Sequence, residues 1–137
     1  MRLSMIVPTY NERKNVPIVI RELNSVFKKN GIKGEVIIVD DNSPDGTGAV
    51  TDSLKKKYSN LKVLHRKGKR GLSSAVFDGM KLANGDLIGV MDADLSHPFE
   101  AVPRMFREIR NGADFVIGSR YVKGGGFKNY PFYRIFI

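Results

Sequence analysis

The sequence contains no cysteine, only two histidines and no long apolar run. Without cysteine, disulfides, thiolate catalysis and cysteine-based zinc sites are excluded. His65 and His97 alone argue against a histidine-rich metal site. No apolar stretch approaches the length of a membrane span, and residues 1–8 are too short and too soon interrupted by Pro8 to be a signal peptide. We therefore expect a cytoplasmic protein, for which peripheral contact with a membrane stays open.

Two common nucleotide-binding signatures are also missing. A dinucleotide-binding enzyme needs Gly-x-Gly-x-x-Gly directly after its first strand, but here residues 9–12 read Thr-Tyr-Asn-Glu. Gly46-Thr47-Gly48 comes later in the chain, yet the third glycine position is occupied by Thr51. No Gly-x-x-x-x-Gly-Lys-Ser/Thr loop is present either. Dinucleotide redox chemistry and P-loop chemistry are therefore disfavoured.

The composition is that of one basic globular domain. The 137 residues are 42% apolar, which suffices for a compact domain with a core. Lys and Arg number 23 against 14 acidic residues, a formal charge of +9 that favours an anionic partner such as nucleic acid, a phosphorylated substrate or an acidic membrane. The basic residues are scattered, and the small clusters Lys55–Lys57 and His65–Arg70 are typical of a solvated helix face and a solvated loop.

Short β-rich runs alternate with longer amphipathic runs along the chain. Strands are predicted at Leu3–Pro8, Glu35–Asp40, Leu61–His65, Asp86–Met91 and Ala113–Ile117. Helices are predicted at Asn15–Lys29, Thr47–Tyr58, Leu72–Ala83 and Phe99–Arg110. This alternation predicts an α/β fold with a mostly parallel, Rossmann-like sheet and helices on both faces. Ligands of such folds bind beyond the carboxyl ends of the strands.

The apolar run Leu87–Met91 leads directly into Asp92-Ala93-Asp94. Such a run is typical of a buried parallel strand. Because side chains alternate along a strand, two carboxylates one residue apart point out of its end on the same side. Mg²⁺ commonly uses one or two carboxylates together with substrate phosphates. The pattern predicts a metal ion that holds a diphosphate, although an isolated Asp-x-Asp is more often part of a solvated loop.

Polar residues that follow the other strands strengthen this interpretation. Tyr10 could stack on a base, and Asp41 could accept from both N–H groups of a guanine edge, a match that adenine cannot make. Arg120 could bind a phosphate bidentately. Simpler alternatives stay open, since Tyr10 could be a packing aromatic and Glu12 could favour the start of the first helix through its dipole. Asp45-Gly46 is interpreted as a turn.

Five collinear motifs resemble those of dolichol-phosphate mannosyltransferases, which are family 2 glycosyltransferases with a GT-A fold. The motifs occupy Ile6–Glu12, Val39–Thr47, Gly71–Ala75, Met91–Pro98 and Gly118–Gly125. The resemblance covers the whole chain in order. It implies a GT-A nucleotide-sugar-binding domain at residues 1–122, followed by the incomplete start of an acceptor-side loop or helix at 123–137.

The resemblance implies roles for residues around the base and the ribose of the nucleotide. Pro8, Tyr10 and Glu12 would line the nucleotide pocket. Val39 and Asp41 would contact the base and the ribose.

The diphosphate side of the implied site is built on the Asp-x-Asp motif. Asp92 and Ala93 would contact the nucleotide-sugar, and Asp94 would be the chief ligand of Mg²⁺ or Mn²⁺. Ser96 stands where some members carry Gln as a further ligand, so a water molecule could intervene between its hydroxyl and the metal.

Two arginines match basic positions of the family. Arg120 and Arg134 would hold the acceptor phosphate or the donor diphosphate. The residues expected to carry catalysis are Asp92, Asp94 and Arg120.

The implied reaction is inverting, metal-dependent transfer of mannose from GDP-mannose to dolichyl or another polyprenyl phosphate. The acceptor is a phosphate with a second pKa of about 6, so it is largely anionic at neutral pH and needs no obvious catalytic base. One alternative is a related enzyme with another donor, such as UDP-glucose. A second alternative is an inactive form that binds nucleotide or membrane, since we expect the chain to be truncated at its C-terminus.

The composition of the last residues suggests contact with a membrane. Residues 127–137 are rich in aromatic and basic side chains, which suit a membrane interface. A lipid acceptor would demand such contact, so we expect a peripheral protein on the cytoplasmic face of a membrane. Nucleic acid is not expected as a partner, because the acidic side chains at the ligand edge would repel its backbone.

Overall fold

The computed structural model describes residues 1–68, 71–119 and 121–123. Its strands are β1 (Leu3–Thr9), β2 (Gly34–Asp40), β3 (Leu61–His65) and β4 (Leu87–Val90). Its helices are α1 (Val16–Lys29), α2 (Thr47–Leu54), α3 (Leu72–Met80) and α4 (Ala101–Arg110). Within these described ranges, no helix has the length and apolar character needed to cross a membrane.

The strands form one parallel sheet in the order β3-β2-β1-β4. The central strands β1 and β2 are buried along nearly their whole length, which is typical of a parallel sheet covered on both faces. Their register pairs Leu3 with Gly34 and Thr9 with Asp40, so the two strands end side by side. The predicted α/β architecture is therefore confirmed, and the loops after β1 and β2 meet at one edge.

One face of the sheet carries the larger apolar core. Leu3, Met5 and Val7 of β1 point to this face, because side chains alternate along a strand. Helix α1 packs its buried stripe against them at helical spacing, through Val16, Val19, Ile20, Leu23 and Phe27. Val102 of α4 extends the same core.

The opposite face is covered by α3. Ile6, Ile37 and Val39 form a second apolar cluster with Ala75. A Cβ atom on Gly79 would lie 2.7 Å from the Cγ2 atom of Ile6, so α3 can approach the sheet this closely only with a small residue there. Ala75 is buried at 1% exposure, which is consistent with close packing of α3 on the sheet.

The predicted fifth strand, Ala113–Ile117, is wrong for the described structure. These residues adopt no strand conformation, and Phe115 and Ile117 are 79% and 70% exposed. A strand exists through its ladder of hydrogen bonds to a neighbour, and none of the strands described here pairs with this segment. The apolar β-rich pattern alone therefore did not produce a strand, because no strand in the described part of the chain pairs with this segment.

Three helices are also shorter than predicted, by two residues or more. Helix α2 ends at Leu54 instead of Tyr58, and α3 ends at Met80 instead of Ala83. In both cases short turns continue the chain, with hydrogen bonds from Lys57 N to Leu54 O and from Leu82 N to Gly79 O. Helix α4 begins at Ala101 rather than Phe99.

A buried carboxylate joins several elements at the amino end of the sheet. Glu35 of β2 is 1% exposed. Its Oε1 atom accepts hydrogen bonds from Ser4 Oγ at 2.6 Å and from Asn84 N at 2.7 Å. Its Oε2 atom lies 3.2 Å from Arg2 Nη2 and 3.0 Å from Lys62 Nζ. This carboxylate therefore links β1, β2, β3 and the connection before β4.

Candidate active site

Three loops meet at the carboxyl edge of the sheet, after β1, β2 and β4. Among the described non-glycine residues, positive φ angles occur at Asn11, Asn42 and Leu95, one in each loop. Asparagine tolerates this conformation, but it is strained for a bulky leucine. Such strain concentrates at ligand-binding sites, and Leu95 directly follows the Asp-x-Asp motif.

The Asp-x-Asp motif has the arrangement that strand alternation predicts. Asp92 and Asp94 are exposed, whereas Ala93 between them is buried at 3% exposure. The Nε2 atom of His97 lies 3.5 Å from Asp92 Oδ2. The two carboxylates therefore face solvent on the same side, just beyond the end of β4.

Asp94 is held in its ionised form. Partial burial by itself raises its pKa, but hydrogen bonds from the Ser96 side chain and backbone, together with the charge of His97, lower the pKa overall. The backbone N–H of Ser96 donates to Asp94 Oδ1 at 3.0 Å. Ser96 therefore orients the Asp94 carboxylate, which stays exposed beyond the end of β4.

These residues fit a hard divalent cation whose other ligands come from elsewhere. Exposed carboxylate and hydroxyl oxygens are the ligands that Mg²⁺ prefers, and it usually completes its shell with water and substrate phosphates. Among the described residues, no three acidic or histidine side chains are grouped as a complete metal site. Asp94, and Asp92 and Ser96 beside it, are the residues that would hold such a cation.

The loop after β1 places Tyr10 at the edge and uses Glu12 locally. Tyr10 is 41% exposed, so its ring is accessible to a ligand. The Glu12 carboxylate accepts from Asn15 Nδ2 at 2.8 Å, and the Glu12 carbonyl accepts from Val16 N at 2.9 Å. Glu12 thus supports the entry into α1, although it also lines a shallow pocket with Asn11–Asn15 and Asp45.

At the end of β2 and in the loop after it, the first and last acidic residues, Asp40 and Asp45, are structural. Asp40 is buried and accepts from Ser43 N at 3.1 Å and Thr9 Oγ1 at 3.3 Å. Asp45 accepts from the backbone N–H and hydroxyl of Thr47 at 2.9 and 2.6 Å. The hydrogen bond from the Thr47 side chain is the main reason that the pKa of Asp45 is lowered. Asp45 therefore forms the predicted turn into α2.

Two of the predicted nucleotide contacts lie within or beside the core. Val39 is fully buried in the cluster under α3, so the structure does not expose it to a ligand. Pro8 is partly buried and is paired with Val39 in the β1–β2 register.

Arg66 is buried, although its sequence context predicted a solvated loop. Its side chain is 2% exposed, and its Nε atom lies 3.0 Å from Oδ1 of Asp41, the residue predicted to meet the base. The hydrogen bond from Arg66 N to Asp40 O extends the β2–β3 ladder by one residue and brings the two side chains together. The available signal was its position directly after β3, at the same edge as the other strand ends.

The predicted phosphate-binding residues Arg120 and Arg134 lie outside the described residues. Tyr121, the next residue after Arg120, is 85% exposed. The roles assigned to both arginines stay predictions.

The chain belongs to glycosyl transferase family 2, whose sequence profile matches residues 4–136. It is 48% identical over 134 residues to a dolichol-phosphate mannosyltransferase of Pyrococcus furiosus and 41% identical over 133 residues to one of Saccharomyces cerevisiae. It is also 40% identical to a polyprenol monophosphomannose synthase of Mycolicibacterium smegmatis. These alignments cover 96% to 98% of this chain but only 37% to 51% of the relatives.

Solved structures confirm the GT-A fold. The mannosyltransferase PcManGT of Pyrobaculum calidifontis, in complex with GDP-Man and Mn²⁺, is 26% identical with a TM-score of 0.63, over 77% of this chain and 31% of that chain. Staphylococcus aureus TarS, in complex with UDP-GlcNAc, is 27% identical with a TM-score of 0.65, over 81% of this chain and 32% of that chain.

Proposed function

We propose that this chain forms the nucleotide-sugar-binding part of an enzyme that transfers mannose from GDP-mannose to dolichyl or another polyprenyl phosphate. The observation that carries the proposal is the exposed Asp92 and Asp94 pair beyond β4, on the edge where the three loops meet. The names of the curated relatives support mannose and a polyprenyl acceptor. The solved mannosyltransferase with bound GDP-Man and Mn²⁺ supports the donor and a divalent metal.

Different residues are proposed to bind the base and the diphosphate of the donor. Tyr10 offers an exposed ring for stacking on the base, and Asp41 offers a carboxylate oxygen to a base N–H. Asp94, assisted by Asp92 and Ser96, would hold Mg²⁺ or Mn²⁺ at the diphosphate. A metal in this place supplies Lewis-acid stabilisation of the departing GDP. Arg120 and Arg134 are proposed to bind the phosphate groups.

The chemistry needs positioning more than proton removal. The acceptor is a phosphate monoester, largely dianionic at neutral pH, and its oxygen can attack the anomeric carbon without a general base. Attack on the face opposite the departing GDP inverts the configuration. The protein then contributes by orienting the acceptor and the donor, which lowers the barrier through proximity.

The proposal predicts a donor preference. Purified protein with Mg²⁺ or Mn²⁺ is expected to transfer radiolabelled mannose from GDP-mannose to polyprenyl phosphate, and chelation by EDTA is expected to stop the reaction. The reaction is measured as label extracted with the lipid. A matched assay with UDP-glucose is the control, and faster transfer from UDP-glucose would contradict the assignment of the donor.

One observation favours a second candidate. The similarity to TarS with bound UDP-GlcNAc shows that this fold also occurs with uridine nucleotides. A family 2 enzyme with another nucleotide sugar, such as UDP-glucose, is therefore the alternative. Binding of nucleotide without any turnover would indicate the inactive, nucleotide-binding or membrane-binding form instead.

We further propose peripheral contact with the cytoplasmic face of a membrane, since the acceptor is a lipid and the chain carries a formal charge of +9. Deletion of residues 127–137 is expected to abolish co-sedimentation with phosphatidylserine-containing vesicles, because this deletion removes aromatic and basic side chains. Vesicles of phosphatidylcholine alone serve as the control. Unchanged sedimentation of the shortened chain would refute this role for the segment.

A further inference from the structure

Arg66 is a buried cation with anchors on two elements. Its Nη2 donates to Ser74 Oγ at 2.7 Å, and its Nη1 donates to the carbonyl of Gly71 at 3.3 Å. Its Nε lies 3.0 Å from Asp41 Oδ1 and 3.6 Å from Asp78 Oδ2. The planar guanidinium therefore joins the start of α3 to the loop after β2 and is fixed in orientation by several partners.

The contact with Arg66 occupies one oxygen of the Asp41 carboxylate. Asp41 Oδ1 and Arg66 Nε are both buried, and among the described residues neither has a partner in hydrogen-bond geometry. They form a close ion pair rather than an aligned hydrogen bond. The Asp41 side chain keeps 8% exposure, which belongs to atoms other than Oδ1. Asp41 Oδ2 is thus the carboxylate oxygen that a ligand can reach.

We infer that Arg66 is a positioning residue that reserves one oxygen of Asp41, so that Asp41 accepts only one N–H from the base of a nucleoside diphosphate. The inference rests on the proposed function, which places the base at Asp41. This single N–H contact replaces the two-point match to guanine that the sequence predicted. Guanine N1–H, hypoxanthine N1–H and uracil N3–H each supply the single donor required, and the 2-amino group of guanine is left without a partner at Asp41.

Calorimetric titration of the unmodified protein with GDP and with inosine diphosphate, both in Mg²⁺, tests whether Asp41 accepts a single N–H from the base. Inosine diphosphate lacks only the 2-amino group. If Asp41 accepts one N–H, the two dissociation constants are expected to agree within about threefold, since no hydrogen bond to Asp41 is lost. If both oxygens bind the base, inosine diphosphate binds about tenfold more weakly or worse, which would overturn the inference.

Substitutions at Arg66 test its positioning role. Arg66→Met leaves the Asp41 carboxylate without the guanidinium that fixes its orientation, so GDP binding is expected to weaken about tenfold. Binding of Mg²⁺–pyrophosphate is expected to stay unchanged because it involves no base. Arg66→Lys keeps the positive charge but lacks the forked arrangement of guanidinium N–H groups, so GDP binding is expected to recover only in part. Arg2→Met is the matched control, since Arg2 also pairs with a buried carboxylate but at the opposite end of the sheet.

The outcomes separate the two proposals. Unchanged GDP binding in Arg66→Met, or an equal loss of pyrophosphate binding, would overturn the positioning role. If Arg66→Met does not fold, the comparison of GDP with inosine diphosphate in the unmodified protein still decides the inference. A preference for UDP over GDP would overturn the GDP-mannose assignment alone, because Arg66→Met would then be expected to weaken UDP binding instead.

Discussion

Replacement of Asp94 with alanine is expected to lower metal-dependent mannosyl transfer by about a thousandfold, since a metal contributes several kcal/mol of transition-state stabilisation. Asp94 lies exposed beyond β4 with one oxygen held by the backbone of Ser96, and its lowered pKa keeps it ionised at neutral pH. The variant lacks the carboxylate that is proposed to hold the metal against the diphosphate. The rate of transfer from GDP-mannose at saturating Mg²⁺ measures this loss.

Two matched variants show whether the loss is specific. Asp114→Ala removes an exposed aspartate outside the Asp-x-Asp motif and is expected to leave the rate unchanged. Ser96→Ala removes a weaker oxygen ligand, and a decrease of about tenfold is expected, comparable to the effect of residues that support a metal ligand. Full activity in Asp94→Ala would show that the metal, if used at all, is bound elsewhere.

Replacement of Glu35 with alanine is expected to lower the free energy of unfolding by about 3 kcal/mol, the lower end of the range for breaking a buried ion pair. The variant leaves the buried Ser4 hydroxyl and the backbone N–H of Asn84 without their acceptor. Arg2 and Lys62 are partly solvated, so their loss of a partner costs less than that of a fully buried cation. Urea denaturation measures the difference.

The stabilisation by Glu35 also depends on pH. Burial by itself raises its pKa, but hydrogen bonds from Ser4, Asn84 and Lys62 lower it below the ordinary value of 4.5. A carboxyl group with a lowered folded-state pKa stabilises the protein fully above its unfolded-state pKa, and this contribution is lost as the pH falls through the folded-state value. The stability difference between the unmodified protein and Glu35→Gln should therefore be constant near neutral pH and should shrink below about pH 4.5.

A surface carboxylate provides the comparison. Glu22 on α1 pairs with Arg21 in solvent, so Glu22→Gln is expected to change the free energy of unfolding by less than about 0.5 kcal/mol. A pH dependence of the same size for Glu22→Gln and Glu35→Gln would contradict the role of the buried carboxylate.

The class of fold could be predicted from the sequence because each element is encoded locally. The apolar runs of β1 and β2 and the helical spacing in α1 follow from the periods of strand and helix. The same local period placed Asp92 and Asp94 on one side with Ala93 beneath them. The segment Ala113–Ile117 shows the limit, since a strand needs a neighbour and no local pattern supplies one.

The sequence by itself determined the α/β alternation, the strand-end position of the acidic motif and the membership of glycosyl transferase family 2. Only the tertiary structure decided which polar groups are buried together. The parallel order β3-β2-β1-β4 brings Arg66 to Asp41 across 25 positions of sequence and Glu35 to Asn84 across 49. Such pairs form because a buried charge must find a partner, and that partner is chosen by the packing of the strands rather than by neighbours in the chain.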